Sequence, residues 1–544
     1  MAITPKHNRL TTALGAGLIA ALGLTACGNG GETEAVGDTD ENIPGELQEG
    51  GSLTIGISGD PGNLDPTFAS TLTSLSVYNA MCELLYNADD EGNVYPQLAA
   101  DSPEFSEDGQ IATIPLREDV VFQDGTLMDA EAVKFSIDRH MEAEGSQRSG
   151  ELSAVESVEV VDEHTVDIHL VEPTAPGAFD VIFTDRAGII VSPTAVGEAG
   201  DEAFAESPVC VGPFAFESRM SQDHIRLTKD ENYYNADNVY LDEVTYQVIT
   251  DSNVRVTNLR SGDVDVIERV PTTDVEDLES ASGVVLERRE GLGYMNIDIN
   301  IGNVDGNQEP AGQVEGPLAE NPDVRRALEM SLDREAINQV VFNGEYEVAC
   351  GFMAPSSELA TEATLACPGY DPDGAADLLE QAGVDTPLEV ELMINTMPEM
   401  RRMGEMIQSM AGEVGFEVTL DIQESTVTIE RGYGGDYETY INSWSGRIDP
   451  DANISQFVAS DSPRTMTKYS NEEVDELLAA ARAAQDPEER AEMYEQINAQ
   501  LREDLPMIFL VRPVNLVGIR DDVAGIELRP NGSVVPTYAG FVED

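Results

Sequence analysis

Apolar and polar residues alternate along Ser52-Leu53-Thr54-Ile55-Gly56-Ile57, which predicts a strand, and Gly59-Asp60-Pro61-Gly62-Asn63 ends it. From Leu72 to Tyr86 the apolar positions recur every three or four residues, the spacing of a helix. Strands are predicted at Ile111–Leu116 and Val120–Phe122, and Asp129 is placed to cap a helix from Ala130 to about Met141. Glu156–Val161 and Thr165–Leu170 form a hairpin pattern that turns near Asp162-Glu163. Further strands are predicted at Ile225–Lys229, Glu243–Val248 and Val264–Ile267.

Helical spacing dominates the second half of the chain. It covers Asp323–Ser331, Arg334–Phe342, Asp373–Ala382, Glu399–Val414, Asn471–Ala484 and Pro487–Glu503. Strand patterns intervene at Leu388–Ile394, Glu417–Ile422, Glu438–Ser443 and Ile508–Val511. Strand and helix alternate, which is the signature of the α/β class. The chain has 544 residues, more than one hydrophobic core usually serves, so at least two lobes are expected. The tail from Ile508 is rich in Val, Ile, Leu and Pro and is suited to return to the first lobe, giving two crossovers and a hinge.

Charge narrows the function. There are 103 Asp and Glu against 30 Lys and Arg, a formal net charge of -73. The lysines are Lys6, Lys134, Lys229 and Lys468 alone. Nucleic acid and anionic lipid surfaces both demand clustered cations, so neither is an expected partner. An acid excess of this size reads as solvated surface, adapted to salt or to a position outside the cell. No calcium-loop spacing is present, and no metal is expected.

The start of the chain reads as an address. Lys6 and Arg9 precede an apolar run from about Thr11 to Leu24, too short to span a bilayer comfortably. Leu24-Thr25-Ala26-Cys27 resembles the lipobox of bacterial lipoproteins, which implies a signal peptide over 1–26 and a diacylated Cys27. Two acyl chains anchor a soluble protein firmly. Residues 27–50 are acidic and Gly-rich and read as a flexible tether. Cys82, Cys210, Cys350 and Cys367 remain, and outside the cell an even count suggests disulfides. Four cysteines permit three connectivities. The short loop between Cys350 and Cys367 favours that pair, and Cys82–Cys210 would then follow.

Several stretches, in this order, carry a resemblance. They are Gly62-Asn63-Leu64-Asp65-Pro66, the run Val77 to Tyr86, Pro96-Gln97-Leu98-Ala99, and Leu116-Arg117-Glu118-Asp119-Val120-Val121-Phe122-Gln123-Asp124-Gly125-Thr126 leading into Asp129 to Arg139. Gly212-Pro213-Phe214, Val324-Arg325-Arg326-Ala327-Leu328, Ser331-Leu332-Asp333-Arg334, Gly344 and Trp444-Ser445-Gly446-Arg447-Ile448-Asp449-Pro450 follow. From about Gly51 onward the chain resembles the extracellular solute-binding proteins of family 5, the dipeptide- and oligopeptide-binding components of ABC importers. The resemblance implies a two-lobed periplasmic-binding-protein fold (type II, cluster C-like) with an extra subdomain on the first lobe. The expected division is 51–300 for lobe I, with the subdomain at about 90–215, 301–507 for lobe II, and 508–544 for the return. It also implies a chain that closes on a peptide or peptide-like ligand and meets a membrane permease, and a monomer is expected because the fold must open and close and the acidic surface repels its own kind. No cofactor is implied.

Candidate ligand residues follow from this. Trp444, the sole tryptophan, offers apolar area and one N–H donor, and Ser445 and Gly446 continue its loop. Arg447 stands where dipeptide-binding relatives have an acid. Its planar fork suits a ligand carboxylate, or Asp449 as a structural partner. Asn63, Leu64 and Asp65 leave the first strand where open α/β sheets usually bind ligands. Tyr294 and Asn296, after Gly291-Leu292-Gly293, could reach the cleft or form a plain strand. Tyr78 and Glu83 lie on the early helix; Glu83 could meet a ligand amino group, although an exposed Glu on an acidic surface is the commoner case.

The chain carries no G-x-S-x-G, H-E-x-x-H or P-loop, so no enzymatic activity is expected. Oligosaccharides, opines, nickel complexes and haem, which other family members bind, remain alternative ligands, as does a surface sensing or adhesion role.

Overall fold

The computed structural model describes residues 47–89 and 93–542. The expected signal segment, Cys27 and the tether lie outside the described residues. Among the described residues no helix is long and apolar enough to cross a membrane.

Two large sheets organise the chain. The first runs, edge to edge, Val284–Glu290, Val514–Arg520, Val266–Ile267, Ser52–Ile57, Glu243–Val248, His224–Lys229 and Phe214–Met220. Ser52–Ile57 pairs in parallel with both of its neighbours. Its Leu53, Ile55 and Ile57 are fully buried, as the alternation requires. The second sheet runs Glu347–Val348, Met507–Arg512, Tyr294–Ile299, Thr439–Trp444, Leu388–Asn395 and Phe416–Gln423. Helices Pro322–Met330, Arg334–Val341, Pro372–Ala382 and Pro398–Val414 cover it, filling a core with Val324, Leu328, Ile337, Leu379, Met403 and Ile407.

A four-stranded sheet, Glu104–Phe105, Ile111–Pro115, Thr165–Leu170 and Val155–Asp162, forms the subdomain. Its helix Ala130–Glu142 starts at Asp129, whose carboxylate accepts the Ala132 N–H at 3.0 Å. The hairpin turns where the sequence places it. Val120–Phe122 is not a strand: Asp119 has φ +59°, and Phe122 N–H bonds back to Thr126 O in a tight loop. The early helix also ends sooner than its spacing predicts, spanning Leu72–Met81. The Glu83 N–H bonds Val211 O at 2.6 Å, and a Cys82–Cys210 disulfide ties the helix end to the same segment. Cys350 and Cys367 form the second disulfide.

Strand pairing moves the lobe boundaries from those expected. Tyr294–Ile299 and Met507–Arg512 both belong to the second sheet, so the crossovers fall at 291–293 and at Pro513. Arg512 fixes the two crossovers to each other. It is buried, and its guanidinium donates to Leu292 O at 2.8 Å, Gly293 O at 2.6 Å and Met353 O at 2.7 Å. Burial lowers its pKa to about 10. A Cβ on Gly293 would lie 1.8 Å from Trp444 O, so only glycine lets the crossover lie against that strand end. Beyond Arg520 the chain stays with the first lobe, where Asn79 Nδ2 donates to Ser533 Oγ at 2.8 Å.

Candidate functional site

The loop after the strand Thr439–Trp444 leans on the first crossover. Gly446 has φ +86°, and a Cβ there would lie 2.3 Å from the Leu292 carbonyl carbon. The loop is held by Asn453, at the start of the helix Asp451–Val458. Asn453 Oδ1 accepts Trp444 Nε1 at 3.0 Å and the Arg447 N–H at 2.7 Å, and its Nδ2 donates to Arg447 O at 2.8 Å. Its own carbonyl accepts Tyr294 OH at 2.7 Å. Asn453 is 1% exposed, and no spacing motif in the sequence marks it.

Arg447 is thereby aimed at the first lobe. Its guanidinium lies 4.6 Å from the Trp444 ring centroid. Its Nη2 is 3.5 Å from Glu151 Oε1, and its Nε is 3.5 Å from Asp185 Oδ2. Its Nη1 donates to Gly446 O at 2.8 Å and to the exposed Ser445 Oγ at 3.4 Å. Arg148 and Arg186 brace the two acids, Arg148 on Glu151 at 3.1 Å and Arg186 on Asp185 at 3.2 Å. Burial alone would raise the Asp185 pKa, but Arg447, Arg186 and Arg148 outweigh it and hold the carboxyl below its usual range. Burial likewise opposes the charge on Arg447, and Asp185 and Glu151 raise its pKa on balance.

A cavity of about 40 Å³ opens at this junction. Asn87 to Asp89, Thr184, Asp185 and Arg529 to Asn531 line its first-lobe side, Leu292 its crossover side, and Gly446, Arg447 and Ile448 its second-lobe side. Ligand pockets usually measure about 300 Å³ or more, so the lobes leave little room between them here. A wider cavity of about 320 Å³ is lined by the second lobe alone, from Ile301 to Asp504.

Other contacts hold the same junction. The Ala175 N–H of the subdomain side bonds Arg482 O of the second lobe at 3.0 Å. Asp180, also on the subdomain side, has its pKa raised to about 6 by burial and, more weakly, by Asp449.

The remaining sequence candidates fall elsewhere. Asp449 does not pair with Arg447: Arg490 takes it in two bonds, at 2.7 and 2.8 Å. Asp65 is fully buried and bonded to Arg139 through both oxygens, at 2.8 and 2.5 Å, which joins the first loop to the subdomain helix. Leu64 is core, and Asn63 is exposed, its Oδ1 accepting the Asp65 N–H at 2.7 Å. Tyr294 and Asn296 form the plain strand: Tyr294 packs edge-on to Phe509 and Phe457, and Asn296 Nδ2 donates to Asp298 Oδ1 at 2.6 Å. Tyr78 is buried, its OH donating to Asn63 O at 3.4 Å. Glu83 is not an exposed acid. It is 5% exposed and accepts Tyr233 OH at 2.5 Å and Tyr234 OH at 2.8 Å. Among the described residues, no group of three or more His, Cys, Asp or Glu could hold a metal ion.

Residues 93–464 match the family described as bacterial extracellular solute-binding proteins, family 5 Middle. Over 472 residues the chain is 27% identical to the glutathione-binding protein GsiB of Shigella flexneri serotype 5b, covering 84% of this chain and 88% of that protein. Among solved structures it is similar to the periplasmic binding protein AgaA of A. tumefaciens R10 in complex with agropinic acid. That match has TM-score 0.76 and 26% identity, over 90% of this chain and 96% of that one. The periplasmic binding protein DppA of Helicobacter pylori, in complex with the peptide STSA, shares the fold at TM-score 0.79 and 22% identity, over 91% and 99% of the two chains.

Proposed function

The chain belongs to the bacterial extracellular solute-binding proteins of family 5, and we propose that it captures a small peptide or peptide-like solute between its lobes and delivers it to the permease of an ABC importer. The observation that carries this reading is Arg447. It stands at the inter-lobe cavity and meets carboxylates of the opposite lobe, so the closed form already holds a cation–carboxylate contact there. A solute carboxylate fits the same fork. The relatives that bind glutathione and agropinic acid, both carboxylate-bearing, favour this ligand chemistry.

Closure needs a hinge, and the two short crossovers pinned by Arg512 supply one. Ligand drives closure only to the extent that it binds the closed form more tightly than the open one. Diacylation at Cys27 would keep the protein at the outer face of the cytoplasmic membrane, within reach of its permease.

The test is a thermal-shift screen of the purified protein against di- to hexapeptides, glutathione, opines, sugars and nickel complexes. A specific ligand at a hundredfold excess over its Kd stabilises by about 2.7 kcal/mol. A peptide or glutathione hit supports the reading. A response confined to sugars or nickel complexes would keep the family and overturn the ligand class.

A further inference from the structure

Two guanidiniums lie over the Trp444 ring, Arg447 at 4.6 Å and Arg464 at 5.7 Å from its centroid. Their surroundings differ. Arg447 has Glu151 and Asp185. The Arg464 guanidinium has neither a hydrogen bond nor an ion pair, although the residue is half-buried and the backbone N–H bonds Ser462 Oγ at 3.2 Å. Among the described residues, every other arginine without such a partner is exposed. A half-buried cation without a counter-charge is costly, and it is unexpected in a protein whose formal net charge is -73.

The charge pattern around it points the same way. Three guanidiniums, from Arg148, Arg186 and Arg447, gather around the two carboxylates of Glu151 and Asp185, and Arg464 shares the Trp444 ring with Arg447. Of the next acids along, Asp449 is matched by Arg490 and Asp451 by Arg482, while Asp180 Oδ1 is buried without a hydrogen-bond partner. Arg148 and Arg186 are 2% and 5% exposed, and the Nε of each is buried without a partner. Arg464 is therefore the guanidinium of this group with no carboxylate of its own, on a protein that is strongly acidic overall.

We propose that Arg464 is a second anion-binding residue of the cleft and that the solute is a dianion. One carboxylate meets Arg447, the other meets Arg464, and the Trp444 ring supports the carbon framework between them. This rests on the reading of the inter-lobe junction as the solute site. A second carboxylate on the solute supplies the counter-charge that Arg464 lacks, so its binding removes the cost of the unpaired guanidinium as well as forming new contacts. A neutral or singly charged analogue forgoes that gain.

Trp444 is the only tryptophan, so its fluorescence reports on this site alone. The test measures collisional quenching by iodide, caesium and neutral acrylamide at fixed ionic strength. A tryptophan on the acidic surface would favour caesium. The proposal expects iodide to quench Trp444 more strongly than caesium does. Arg464→Gln should lower the iodide constant about twofold, the effect of one screened charge at this distance, and leave acrylamide unchanged. Arg464→Lys should keep most of the iodide effect; equal loss in both variants, with unchanged melting, would assign the effect to packing and overturn the proposal. Stronger quenching by caesium would overturn it too. In a second arm, succinate should shield Trp444 from iodide at concentrations where acetate does not, and equal shielding by the two would reject the dianion. None of these readings depends on the peptide screen, so a failed screen and a failed anion site are told apart.

Discussion

The Arg447 guanidinium stands 3.5 Å from the Asp185 carboxylate, across the line that separates the two lobes. The two residues sit on different lobes, so lobe opening would break the contact. Arg447→Ala leaves Asp185 and Glu151 with Arg186 and Arg148 but breaks their link to the second lobe. The expected result is a larger radius of gyration in solution scattering and at least about a tenfold loss of affinity for the solute that the screen returns. Unchanged affinity would remove Arg447 from the binding machinery.

Asn453 acts through the loop it holds. Asn453→Ala removes the acceptor of Trp444 Nε1 and of the Arg447 N–H and the donor to Arg447 O, in a site that is 1% exposed. Buried groups left unpaired cost about 1–3 kcal/mol. The variant should therefore unfold at lower denaturant, with a loss of about 2–3 kcal/mol, and Trp444 emission should shift to the red. Stability lost without an emission change would mean that the loop keeps its shape by other contacts.

Asp65 separates a structural role from a ligand role. Its bonds to Arg139 are buried, and cutting one partner of a buried pair costs about 3–5 kcal/mol. Asp65→Ala should lower stability by that order and leave solute affinity, measured by calorimetry on the folded protein, within about twofold. A selective loss of affinity with little loss of stability would return Asp65 to the cleft.

How far the sequence reaches can be judged from these same residues. Helices such as Pro372–Ala382 and Pro487–Asp504 and strands such as Ser52–Ile57 follow local periodicity, and their limits are met within a residue or so. The early helix overran because its end is set by a distant bond, Glu83 N–H to Val211 O, which no local pattern contains. The lobe boundary slipped for a like reason: Tyr294–Ile299 reads as a strand whichever sheet it joins, and pairing decides that. At the site, Trp444 and Arg447 were legible by resemblance. The partners of Arg447 were not, since Glu151 is 296 residues away, while nearby Asp449 is claimed by Arg490 from a later helix. Asn453 and Arg464 carry no motif. Their importance lies in what they bond or fail to bond, and that is a property of the fold alone.

Acidification should stabilise the protein before it destabilises it. Burial raises the pKa of Asp298, Asp451 and Asp180 to about 6. A carboxyl with a raised folded pKa binds its proton more readily in the folded state, so its penalty is full above about pH 6 and fades as the pH falls toward the unfolded value. Buried His140 works the other way, its pKa lowered to about 4, and costs stability between its unfolded value and pH 4. Three raised carboxyls outweigh one depressed histidine. Asp185, held low, begins to cost stability only at still lower pH. The denaturation midpoint should therefore rise from pH 7.5 to about pH 5 and fall below that. Asp298 is the cleanest probe, because it is 2% exposed and bonded only to the amides of Asn296 and Asn442, at 2.6 and 2.9 Å. Asp298→Asn cannot ionise, so its stability relative to the parent should improve by about 2 kcal/mol between pH 4.5 and pH 7.5. Parallel stability curves for the two proteins would show that the Asp298 carboxyl titrates near its ordinary value and that the pH response arises elsewhere.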